Sequence, residues 1–156
     1  MDHEELMARA VAMSKHGIEI RAGGPFGAVI ARAGEVVADG WNRVTSQNDP
    51  TAHAEVVAIR EAAQSLGTHD LSGCILYTSC EPCPMCLSAA HWSRVDHVYY
   101  ANTRADAAGI GFDDSELYDE VAKPIEARSL SITRLENDDA VSVMQEWAAD
   151  PTNRRY

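Results

Sequence analysis

Two stretches constrain this chain more than anything else in it: His53-Ala54-Glu55, and Pro82-Cys83-Pro84-Met85-Cys86 further along. One imidazole and two thiolates fill three of the four tetrahedral positions around Zn²⁺ and leave the last for water. A carboxylate two residues from the imidazole can then move protons without binding the metal. A structural zinc needs four protein ligands and has no use for an acid beside them. Here there are three ligands and an acid, so the pattern points to an enzyme with an open metal site. His53, Cys83 and Cys86 are the expected ligands, and Glu55 is the expected proton carrier.

The spacing restricts where these residues can sit. His53 and Glu55 are two apart and would point to opposite sides of a helix in mid-course. They can share a site only in a first turn, leaning past the N-terminal end. Asp49 or Thr51 as cap, with Pro50 in the first turn, places them there, and Gly67 closes that helix. Cys83 and Cys86, three apart, share a helical face. With Pro82 opening their helix, they too lie in a first turn, where the dipole and free N–H groups favour thiolate over thiol. Two helix N-termini therefore meet at one metal, at the strand ends where α/β proteins keep their sites.

The rest of the chain reads consistently with this. Leu6, Ala10, Met13 and Ile20 at helical spacing predict an amphipathic helix over 3–21, ended by Gly23-Gly24-Pro25. Phe26–Arg32 and Glu35–Trp41 predict a hairpin turning at Ala33-Gly34. Cys74–Thr78 and Val95–Ala101 read as strands, and the helix from Pro82 runs to about Ser93. Thr103–Gly109 and Ser115–Val121 read as short helices, Ser129–Leu135 as a last strand and Val141–Ala149 as a last helix. Strands alternating with helices after a hairpin predict an α/β layered domain with a mixed sheet. At 156 residues one domain is expected over 1–156, long enough to bury a core without disulfides.

Net charge of −11 argues against a nucleic-acid substrate, because phosphate contacts normally demand a basic surface. Only Lys15 and Lys123 accompany eleven arginines, which a codon bias toward arginine explains. Met1–Ala10 carries Asp2, Glu4 and Glu5 without an apolar core and does not read as a signal peptide. No run reaches membrane-spanning length, so no membrane partner is expected. Three of the four cysteines cluster, which suggests metal binding rather than disulfides and a cytoplasmic location.

One competing arrangement uses Cys80, which with Cys83, Cys86 and His53 could close a Cys₃His structural zinc. It leaves Glu55 without a purpose, and Cys80 precedes the helix, off the Cys83/Cys86 face. Cys74 is expected to be a small buried hydrophobe. The histidines at 3, 16, 69, 91 and 97 read as surface or satisfied core residues, and Trp92 and Trp147 as packing.

Asp49-Pro50-Thr51-Ala52-His53-Ala54-Glu55, Thr78-Ser79-Cys80-Glu81-Pro82-Cys83-Pro84-Met85-Cys86 and Gly111-Phe112-Asp113-Asp114 resemble the cytidine-deaminase-fold superfamily, and within it the small bacterial guanine deaminase branch. The likeness runs nearly end to end, from Gly23-Gly24-Pro25-Phe26-Gly27-Ala28-Val29 to Tyr156. It implies a three-layer α/β fold whose mixed central sheet of about five strands is flanked by helices. It also implies one Zn²⁺ per subunit and hydrolytic deamination of guanine to xanthine and ammonia.

Carried over by position, His53, Cys83 and Cys86 would bind the metal and Glu55 would shuttle protons. Phe26 would pack on the purine, and Asn42 would hydrogen-bond its polar edge. Asp114 would accept from the purine's N–H groups and assist catalysis, and Tyr156 would close the pocket. The branch further implies a homodimer that exchanges a C-terminal segment of about 138–156. Taken alone, Phe26, Asn42 and Tyr156 carry no such assignment, and Asp113-Asp114 reads as a cap before Ser115. Rival readings are a related small substrate (guanosine, cytosine or an aminotriazine such as ammeline), a tRNA adenosine deaminase, and a non-catalytic zinc scaffold.

Overall fold

Strand β1 (Gly27–Arg32) organises the fold, because from Gly27 to Ala31 it is buried on both faces. The structure, a computed structural model, describes residues Met1–Tyr156 and divides into two compact units, Met1–Ser115 and Glu116–Tyr156. In the first unit β2 (Glu35–Trp41) and β3 (Cys74–Cys80) flank β1 antiparallel, and β4 (His97–Asn102) runs parallel to β3 at the edge. The order β2-β1-β3-β4 makes a mixed sheet. The β1–β2 hairpin turns where expected: Ala33 and Gly34 both take positive φ, 50° and 79°, as a tight two-residue turn matching strand twist requires.

The alternation along β1 sorts the helices into two outer layers. Val29 and Ala31 face α1 (His3–Glu19), packing with its Leu6 and Ala10 and with Tyr77. Ala28 and Ile30 face the other way, into a core with Ala54, Ala58 and Ala62 of α3 (Ala54–Leu66), Leu76 of β3 and Ala90 of α4 (Pro84–Ser93). The alanines recur every four residues and form one smooth stripe on α3. Gly40 of β2 meets that stripe, and a Cβ there would overlap the backbone of Ala54 and Ala58. Helix α3 therefore lies close against the sheet, and its N-terminus is placed by packing rather than by a flexible loop. Short helices α2 (Val44–Gln47) and α5 (Arg104–Gly109) complete the unit. Cys74 is fully buried in its strand, as its setting predicts.

Three expectations need correction. Helix α3 starts at Ala54 with His53 as N-cap, because Asp49 spends its side chain on a local turn: its Oδ1 accepts from both the amide and the hydroxyl of Thr51, at 2.8 and 2.7 Å. Helix α4 starts at Pro84, not Pro82, with Cys83 as N-cap. The Glu81 amide is still bonded to Asn102 across the β3–β4 ladder, so the chain remains extended past Glu81. The sheet has four strands rather than about five, because Ser129–Leu135 forms no strand. A strand exists only by exchanging backbone bonds with a neighbour, and this segment pairs with none.

The second unit contains α6, which begins at the boundary (Ser115–Ala122), a 3₁₀ turn at Ile125–Ala127 and α7 (Asp138–Ala149). Local polar contacts hold it. Glu120 takes the Lys123 ammonium at 2.7 Å and the Ser129 amide at 2.8 Å, and Asn137 caps α7 through the Ala140 amide. None of its residues is buried. No helix of the protein is long and apolar enough to cross a membrane.

Candidate metal centre and active site

His53 and Cys83 occupy equivalent places. Each is the N-cap of its helix, in extended backbone (φ −67°, ψ 153° and φ −68°, ψ 168°), and neither closes a side-chain cap hydrogen bond. Freed from capping, the two side chains turn toward one another, and Cys86 joins them from the first turn of α4. His53 Nδ1 stands 3.6 Å from the Cys83 sulfur and 3.5 Å from the Cys86 sulfur. All three ligand atoms lie within 4.8 Å of one another. A tetrahedral centre with metal–nitrogen bonds of about 2.0–2.1 Å and metal–sulfur bonds of about 2.3 Å puts nitrogen and sulfur about 3.5 Å apart. The donor set and its spacing fit zinc.

Electrostatics in the cluster follow from this crowding. Cys86 and His53 hydrogen-bond the Cys83 sulfur and hold its pKa down to about 4 against burial. Cys86 is pushed well above the ordinary thiol range by its pairing with Cys83 and by burial. The Cys83 contact raises His53. Glu55, in the first turn of α3, is 6% exposed, and burial raises its carboxyl above the usual range. A buried carboxyl beside a trio that could hold a metal has the placement a proton carrier needs.

Cys80 does not join the cluster. Its thiol donates to the Thr103 carbonyl at 3.6 Å, and burial holds its pKa up at about 11. The closed four-ligand arrangement is therefore not the one the fold builds.

The remaining expected site residues are placed as follows. The Asn42 amide donates to the Phe26 carbonyl at 3.0 Å, so these two are bound together where β1 and β2 begin and end. Asn42 is 5% exposed, and its Oδ1 accepts from the Gly24 and Val44 amides at 3.2 and 3.1 Å. The side-chain NH₂ is left to donate. Phe26 meets Phe112 edge-to-face, ring centroids 5.0 Å apart. Asp113 caps toward Ser115 as expected, at 2.9 Å, while Asp114 faces Arg104, Nε to Oδ1 at 3.4 Å. Asp114 lies within electrostatic reach of Cys83. Burial raises it and the Arg104 charge opposes that. Tyr156 belongs to the second unit.

The Phe112 partner of Phe26 and the Arg104 partner of Asp114 escape sequence reasoning. Neither pair has a diagnostic spacing; only the fold brings them together.

Residues 1–102 match the family model described as the cytidine and deoxycytidylate deaminase zinc-binding region. A guanine deaminase of Bacillus subtilis is 48% identical over 156 residues, covering all of both chains. Its X-ray structure superposes with a TM-score of 0.96 over 100% of this chain and 99% of that one. The structure of a guanine deaminase from Nitrosomonas europaea is 33% identical, with a TM-score of 0.70 over 96% of this chain and 86% of that one. A tRNA-specific adenosine deaminase of Aquifex aeolicus is 46% identical over only 77 residues, 49% of this chain and 51% of its own.

Proposed function

This chain belongs to the guanine deaminase family of zinc-dependent, cytidine-deaminase-fold hydrolases, and from that premise we propose that it hydrolyses guanine to xanthine and ammonia. The observation that carries the reading is the buried Glu55 carboxyl standing against a His53–Cys83–Cys86 trio spaced for a tetrahedral metal. His53, Cys83 and Cys86 would hold the zinc, whose Lewis acidity would lower the pKa of a water from about 15.7 toward 7. Glu55 accepts the water's proton and hands it to the ring nitrogen beside C2, which makes C2 electrophilic. Water oxygen adds at C2. Glu55, assisted by Asp114, then takes the remaining hydroxyl proton of the C2 adduct and delivers it to the amine, so that the C–N bond breaks, ammonia leaves and the C2 carbonyl of xanthine forms.

Recognition follows the donor pattern of the base. Guanine presents acceptors at O6 and N7 and N–H groups on its opposite edge. Asn42, its Oδ1 already engaged, has only donors to offer and suits the acceptor edge. Asp114 suits the N–H edge, and Phe26 offers a ring to the purine face. Tyr156 would complete the pocket in a homodimer that exchanges about 138–156, with one zinc per subunit. That assembly rests on the family resemblance, and sedimentation of the full chain tests it. The net charge of −11 supports a free base over a nucleic acid as substrate, and the clustered free thiols support a cytoplasmic setting.

The test is ammonia release by zinc-loaded protein on guanine, guanosine, adenine, cytosine, cytidine and ammeline, with Glu55→Gln as control. Guanine turnover well above the others is expected, and Glu55→Gln should keep its zinc while losing at least about two orders of magnitude in kcat. Activity on guanosine alone would overturn the substrate. Near-normal turnover by Glu55→Gln would overturn the role of Glu55.

A further inference from the structure

Arg104 stands where two parts of this site meet. Its backbone N–H donates to Glu81 Oε2 at 3.1 Å, and Glu81 belongs to the loop that delivers Cys83 to the cluster. Its guanidinium lies 3.4 Å from the Asp114 carboxylate. One residue thus ties the ligand loop to the carboxylate assigned to the purine's N–H edge. Glu81, Thr103, Arg104, Asp113 and Asp114 line one open cavity of about 510 Å³.

The length of the contact has a consequence. A charge-assisted N–H···O bond is about 2.7–2.9 Å. At 3.4 Å Arg104 sets positive charge beside Asp114 without claiming the lone pairs that an incoming donor would need. The charge is needed there. The Asp114 side chain is 17% exposed, and the other carboxylates lining the same cavity, Asp113 next to it in the chain and Glu81, carry like charge. Burial raises the Asp114 pKa most, and Cys83 and Asp113 add to that. Arg104, with a backbone N–H, works against them.

We propose that Arg104 is a positioning residue that holds the Asp114 carboxylate, with a compensating charge beside it, as acceptor for the N–H groups of guanine. This rests on the reading of Asp114 given above. Arg104 acts through Asp114, which accepts from the base throughout binding and assists Glu55 only at amine departure, so KM should respond more than kcat.

The experiment compares zinc-loaded Arg104→Gln, Arg104→Lys, Asp114→Asn and the Arg104→Gln/Asp114→Asn double variant across pH. Arg104→Gln should raise KM for guanine roughly three- to tenfold with kcat changed far less, a range discounted for the partial exposure of the pair. Without the opposing charge the Asp114 pKa rises, so the acid limb of kcat/KM should move to higher pH by about half to one unit. Arg104→Lys should restore most of both effects, and Arg104→Gln should add nothing on top of Asp114→Asn. In a Glu55→Gln background, adding Arg104→Gln should weaken guanine binding by the same factor, without turnover.

A parental KM and acid limb in Arg104→Gln would overturn the proposal. So would a loss that Lys does not rescue and that leaves the acid limb in place, since a purely structural role behaves that way. Full guanine activity in Asp114→Asn would instead sink the underlying reading of Asp114.

Discussion

Four helices of the first unit begin with the same backbone conformation at the N-cap but use its side chain in two different ways. At α1 and α5 the cap closes on its own helix. Asp2 and Glu5 exchange hydrogen bonds, as do Thr103 and Asp106, each a complete capping box. At α3 and α4 the caps are His53 and Cys83, and neither bonds back to its helix. A side-chain cap is worth about 1 kcal/mol. The protein forgoes it at the two helix ends that face each other and takes it at the ends that do not. Metal-binding capacity here has been obtained by leaving local stabilisation unused, at positions the stripe of alanines on α3 and Pro84 on α4 already hold in place.

The sharpest way to break that comparison is to remove a ligand. Cys86→Ser should lose zinc and drop ammonia release to background, with a lowered Tm because metal binding to the folded form adds to its stability. Metal analysis beside the activity assay reads both. A Cys86→Ser protein that retained zinc and turned over guanine would mean the trio is not the metal site and the uncapped ends need another explanation.

A smaller effect sharpens the comparison from the other side. In metal-free protein, His53→Ser and His53→Ala both lose the contact with the two sulfurs, but only serine can accept from the free amides of the first turn of α3. Serine should therefore be the more stable of the two by about 1 kcal/mol, read from urea midpoints. Equal midpoints would show that the α3 end has no unmet demand for a cap.

Much of this arrangement is legible in the sequence. The β1–β2 hairpin follows from two apolar runs around Ala33-Gly34, a local signal that tertiary context had no reason to override. That His53, Cys83 and Cys86 come together follows from the His-x-Glu and Pro-Cys-x-x-Cys motifs, whose residue types and helix-period offsets suit one shared site. The helix starts were displaced because several residues compete for one role. Asp49 and Thr51 are good caps but satisfied each other in a turn, and either Pro82 or Pro84 could open α4.

Ser129–Leu135 reads as a strand from composition, yet β structure is a property of pairs, and one segment cannot reveal its partner. The Arg104–Asp114 contact was invisible for the same reason. Glu81 was legible only as a motif residue; that it holds the start of α5 emerges from the fold.

The smallest effect tests the capped ends themselves. Asp2 Oδ1 accepts from the Glu5 amide at 2.8 Å, and Glu5 Oε2 returns a bond from the Asp2 amide at 2.8 Å. Asp2→Ala removes one half of this box and should cost about 1 kcal/mol, visible as a small shift in the urea midpoint. Zinc content and guanine turnover should stay at parental values, because α1 covers the face of the sheet opposite α3 and α4. If Asp2→Ala instead lost activity in proportion to stability, the two kinds of helix end would be energetically coupled. The division between capping for stability and ligation for function would then not hold. If it lost stability alone, the first unit carries two independent designs on one backbone geometry: ends that close on themselves to hold the layers together, and ends left open so that a metal can close them.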